Sequence, residues 1–125
     1  MSTVPFRLIT PAEVVFEGEA ELVIAVTTEG EEGVLPHHAP LLAVLRPGVL
    51  RANVRGAAAS ERFEVATGPG FIQALPDAVT VLVDEVVRFE DVDVAKTREE
   101  LGAASAAHDR SAEEFALAKL RLTGH

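Results

Sequence analysis

Apolar and polar residues alternate through much of the chain up to about Arg88. Phe6-Arg7-Leu8, Leu50-Arg51-Ala52-Asn53-Val54-Arg55 and Arg62-Phe63-Glu64-Val65 each place their apolar members two apart. That is the period of a strand with one buried face. Leu22 to Val26 and Val79 to Val83 are apolar almost throughout and predict strands covered on both sides. Turn residues recur at the roughly 8–12-residue spacing of a sandwich or barrel, which predicts about eight to ten short strands.

Between Thr28 and Leu50 the strands are punctuated by glycine and proline. Gly30 and Gly33 can adopt positive φ, whereas Pro36, Pro40 and Pro47 fix their own φ and push the preceding residue towards extended geometry. This argues against helix here, and Pro47-Gly48 is a turn signal separating Leu41 to Leu45 from Val49 to Val54. Gly68-Pro69-Gly70 reads as a hairpin turn, because no Gly-Lys-Ser/Thr follows to make a phosphate loop.

From Asp91 onward the pattern changes to Ala, Glu, Lys, Arg and Leu without proline, which predicts helix. Asp91 is the expected N-cap of a first helix running to about Ala107, with Gly102 its weak point. His108 to Arg110 is the expected bend, and Ser111 with Glu114 has the form of a capping box for a second helix. Leu101 and Ala104 on one helix would face Phe115, Ala118 and Leu122 on the other. Alanine buries little area, so this hairpin needs a surface to lie against. It is either permanently packed on the sandwich or able to detach. The expected fold is thus mainly β plus α: an antiparallel β-sandwich over 1–88 and a two-helix hairpin over 89–125.

Composition narrows the function. The 125 residues are 48% hydrophobic and include no cysteine, so a core is affordable while disulfides, thiol nucleophiles and thiolate metal sites are excluded. A formal charge of −9 would repel nucleic acid. No apolar run reaches the roughly 18 residues of a membrane span, and MSTVPFRLIT lacks the features of a signal peptide.

Candidate chemistry is sparse. His37 and His38 are neighbours whose side chains would point to opposite faces of an extended chain, which disfavours a shared metal. Glu29, Glu31 and Glu32 lack the alternating ligands of a calcium loop and read as a solvated turn. No serine sits in a nucleophile elbow. The residues predict no catalytic site, no metal and no cofactor.

Two motifs carry a family resemblance. GVLPHHAPLLAVLRPGVL at 33–50 resembles the segment GVLPGHAPLL, leucine, PG and strand of the epsilon subunits of rotary F-type ATP synthases, with His37 where those proteins usually have Gly. GPGFIQALPDAVTVLVD at 68–84 is similar to their glycine-rich turn and the strand after it. The resemblance implies a non-catalytic central-stalk subunit that links the gamma subunit to the c-ring of a proton-transporting ATP synthase. It would work at the cytoplasmic face of the bacterial inner membrane, with a mobile two-helix tail regulating hydrolysis. Matching positions imply c-ring contacts at Glu31 and His38. Arg110, Lys119 and Arg121 would meet the alpha and beta subunits of the catalytic ring. The family's ATP-binding pattern falls on Val92 to Thr97, keeping Asp93 but carrying Lys96 for arginine and Thr97 for alanine, so Asp93 and Lys96 are the positions a regulatory ATP would use. The rival expectation from another class is a free-standing β-sandwich that binds a ligand or peptide and carries a helical tail.

Overall fold

A computed structural model describes residues 2–124. Nine strands come first: β1 (Val4–Ile9), β2 (Val14–Thr27), β3 (Gly30–Val34), β4 (Leu41–Leu45), β5 (Gly48–Arg55), β6 (Ser60–Thr67), β7 (Gly70–Leu75), β8 (Ala78–Val83) and β9 (Val86–Arg88). A single 3-10 turn, Phe89–Asp91, leads to α1 (Val94–Ala106) and α2 (Arg110–Leu122).

β2 belongs to both layers of the sandwich. Its first half pairs with β1, its second half with β5 and β3, and its last residue Thr27 reaches Leu45 of β4. One layer contains β1, β8, β7 and β4, and the other β3, β5, β6 and β9. All pairings are antiparallel except β1 with β8.

Alternation decides which side chains fill the space between layers. Phe6 and Leu8 of β1, Val23 of β2, Leu50 of β5, Ile72 of β7 and Val81 of β8 are all buried in one cluster. Burying each stabilises the fold by about 2 kcal/mol. Phe16 joins Phe6 to Phe63 through ring centroids 5.5 and 4.9 Å apart. Gly70 is required for close approach, since a Cβ there would stand 2.7 Å from Val83 Cα.

Several sequence expectations need correction. Leu22 to Val26 and Val79 to Val83 are not covered on both sides: Val23, Ala25, Val81 and Val83 are buried, but Leu22, Ile24 and Thr80 are only half-buried and Leu82 is exposed. Gly33 has no positive φ and pairs with Ile24 in β3, whereas Gly30 takes φ 115° at the turn. Gly68-Pro69 does not close a hairpin. β6 pairs with β5 and β9 while β7 pairs with β4 and β8, so this segment carries the chain from one layer to the other.

The helices are also capped differently from the expectation. Asp91 ends the 3-10 turn, and Asp93 caps α1 by accepting from the Lys96 amide at 3.0 Å. Asp109, not Ser111, caps α2 by accepting from the Ala112 amide at 3.1 Å. His108 takes φ 55° at the bend. α2 lies on β5 and β6, and α1 packs on α2. Its small residues Ala116 and Ala118 are buried with Leu120, more so than the expected Phe115 and Leu122.

Candidate functional site

The acidic turn is built by the end of β2. Thr27 donates its hydroxyl to the Gly30 carbonyl at 2.7 Å and accepts from the Glu29 amide at 3.1 Å, which stiffens the corner around the acids. Thr28 donates its amide to Val44 at 3.1 Å, so the turn is held beside β4. An open cleft of about 470 Å³ lies between Thr27–Glu32 and Leu41–Val44.

Within this corner Glu31 pairs with Arg51 of β5 at 2.7 Å. His38 donates from Nδ1 to the Ala39 carbonyl at 2.6 Å, leaving Nε2 3.8 Å from a Glu32 carboxylate oxygen. The turn and the histidine corner therefore form one polar edge, joined through Glu32 rather than by direct contact of the two predicted residues. His37 does not share His38's setting. It is exposed with φ 64° and donates its amide to Pro76 at 3.3 Å, so the expected extended backbone is absent. Among the described residues no group of three His, Cys, Asp or Glu side chains could hold a metal.

Beside this edge runs an apolar strip missed by sequence reasoning. Val44 of β4 lies across from Phe71 of β7, and Phe71 across from Leu82 of β8. All three are exposed, as is Leu42 at 73%. Four large apolar side chains on one outer sheet face mark a contact surface. The signal in the sequence was the alternation itself: an apolar residue on the face opposite the core needs its own cover.

Two of the three predicted hairpin cations have partners within the hairpin. Lys119 pairs with Glu100 at 2.7 Å, lies 4.8 Å from the Phe115 ring centroid and has a side chain only 12% exposed. Arg110 stands 3.9 Å from Glu114, and Arg121 is exposed in the last turn of α2. Asp93 and Lys96 sit at a second cleft, of about 300 Å³, also lined by Glu85, Asp91, Glu100 and Lys119. Four carboxylates against two ammonium groups make a poor seat for a triphosphate. Among the described residues, no helix is long and apolar enough to cross a membrane.

Comparison with known proteins identifies the fold and the family. Residues 3–89 match the model of the ATP synthase delta/epsilon chain β-sandwich domain. The ATP synthase epsilon chain of Chromobacterium violaceum is 40% identical over 95% of this chain and 84% of its own length. The chain belongs to the ATP synthase epsilon chain family. The epsilon chain of Laribacter hongkongensis is 37% identical over 97% of this chain and 85% of its own length.

Solved structures agree on the fold. A chain of the Euglena gracilis mitochondrial ATP synthase F1/c-ring assembly superposes with TM-score 0.75 at 22% identity, covering 99% of this chain and 79% of that one. A chain of the Tetrahymena thermophila central stalk/c-ring matches at TM-score 0.63 and 17% identity, covering 94% and 97% respectively. Family membership makes this chain a non-catalytic rotor subunit of ATP synthase and disfavours the free-standing binding module.

Proposed function

We propose that this chain joins the gamma subunit to the c-ring in the rotor of a bacterial proton-transporting ATP synthase. The observation that carries the reading is the exposed strip of Leu42, Val44, Phe71 and Leu82 beside the polar edge of Glu31, Glu32 and His38. The apolar strip suits gamma, a permanent partner that can cover it. The polar edge suits the loops of the c-ring, where a charged rim on a stiff sheet gives recognition without deep burial. Glu31 and His38 are the ring contacts in this reading. Because other subunits hold this one at the membrane, it works at the cytoplasmic face of the bacterial inner membrane as a peripheral subunit.

The roles divide near residue 88. The sandwich binds rotor partners, and the hairpin regulates hydrolysis through contacts with the alpha and beta subunits. Arg110 and Arg121, on the outer part of α2, are available for those contacts as they stand. Lys119 joins them only after leaving Glu100. The acid-rich surroundings of Asp93 and Lys96 support a tail without regulatory ATP.

Binding assays with purified gamma and with c-ring-containing membranes separate the two surfaces. Phe71→Asp and Leu42→Asp should weaken gamma binding at least tenfold, because each puts a charge into an apolar contact. Glu31→Ala with His38→Ala should spare gamma binding and weaken proton-coupled rotation. Full gamma affinity in Phe71→Asp would remove the strip from the interface, and unchanged coupling would remove Glu31 and His38.

A further inference from the structure

An ion pair crosses from the sandwich to the hairpin. Arg46, between β4 and β5, donates from its guanidinium to the Glu114 carboxylate on α2. Both side chains are largely shielded, at 33% and 22% exposed, which reduces the screening that makes surface pairs weak. Arg110 stands 3.9 Å from the other carboxylate oxygen, but its side chain is 79% exposed and it belongs to the same helix.

Each end of the pair has a different mechanical status. Arg46 is fixed to the platform: its amide donates to the Val26 carbonyl at 3.0 Å, and the following Pro47 and Gly48 are buried. A Cβ on Gly48 would lie 2.7 Å from Val26 Cγ2, so the corner has no room to shift. Glu114 is fixed to the hairpin, which also has fasteners of its own. Lys119 holds Glu100, Ser105 donates to Glu113 at 2.6 Å, and Asp109 caps α2. The apolar seat between α2 and the sheet includes small side chains such as Ala116 and Ala118, which bury little area.

We infer that Arg46 and Glu114 form the latch that holds the helical hairpin on the sandwich, and that opening it frees the hairpin as one unit. The inference rests on the reading of the hairpin as a detachable regulator. Removing Glu114 leaves the shielded Arg46 charge without its partner across the seam, and removing Arg46 leaves Glu114 only the exposed Arg110 of its own helix, so each loss weakens docking. The internal fasteners do not cross the seam, so they remain closed when the latch opens.

The test uses the full chain, labelled with a fluorescent donor and acceptor at Ala57→Cys and Gly102→Cys. Both positions are exposed, and the chain has no cysteine of its own. Arg46→Gln and Glu114→Gln should each raise the released fraction about three- to tenfold. The double variant should be no worse than the worse single one, since the two act through one bond. Arg46→Lys should recover part of the loss. Helix content should not change, because the hairpin leaves intact. Leu120→Asp, which spoils the apolar seat, serves as the release control. Release in Leu120→Asp with none in the Gln variants overturns the latch, as do additive effects in the double variant. No release in any of them overturns the detachable hairpin itself, and the latch with it.

Discussion

At His37 the backbone asks for something the side chain does not easily give. Its φ of 64° lies in the left-handed region, where a non-glycine residue costs about 1–2 kcal/mol. Exposure leaves the ring little burial to offset that cost, while the amide bond to Pro76 keeps the corner in place. His37→Gly is therefore expected to stabilise the sandwich by about 1 kcal/mol, or about 3 °C in Tm, with His37→Val moving the melt the other way. A thermal melt of the two variants decides it, and a lower Tm for His37→Gly would mean that the ring contributes more than the strain removes. The departure from the family's glycine was readable in the sequence. The φ that gives glycine its place there was not, because it is imposed by the turn after β7 packing against this corner.

Among the elements, strands were far more legible than their surroundings. Period-two alternation located β1 and β5, whose alternate residues are buried, and it located β6 as well, although Val65, Ala66 and Thr67 at its end are all buried. It could not separate an apolar residue under a neighbouring layer from one awaiting a partner, so β8 was expected to be covered on both sides although Leu82 is exposed. Gly68-Pro69-Gly70 was misread for a related reason: a local turn signal does not say whether the next strand pairs with the last one or crosses to the other layer. The helix caps failed on degeneracy. Asp91 and Asp93, or Asp109 and Ser111, are all chemically able to cap, and the choice falls to the 3-10 turn before α1 and to the positive φ of His108 before α2. Asp109→Ala should cost α2 about 1 kcal/mol of local stability, whereas Ser111→Ala should change it by less than about 0.5 kcal/mol. Amide hydrogen exchange along α2 measures both, and equal losses would return the cap to Ser111.

For the whole molecule, the distribution of the core settles which part can stand alone. Every member of the central cluster lies between Val4 and Val83, and no helix residue belongs to it. The hairpin covers the outer side of β5 and β6, where Ala66 is buried without belonging to that cluster. A chain ending at Glu90 thus loses an outer layer and keeps its interior. It should still melt cooperatively, with stability reduced by a few kcal/mol at most for the uncovered area, and it should bind gamma as the full chain does. In membranes carrying the truncated form, ATP synthesis should persist while the control of hydrolysis changes. Loss of gamma binding with a cooperative melt would assign part of the docking surface to the helices, against the division of labour proposed near residue 88. Loss of the cooperative melt itself would mean that α2 completes the sandwich, and a helix needed for folding could not also be the part that lets go.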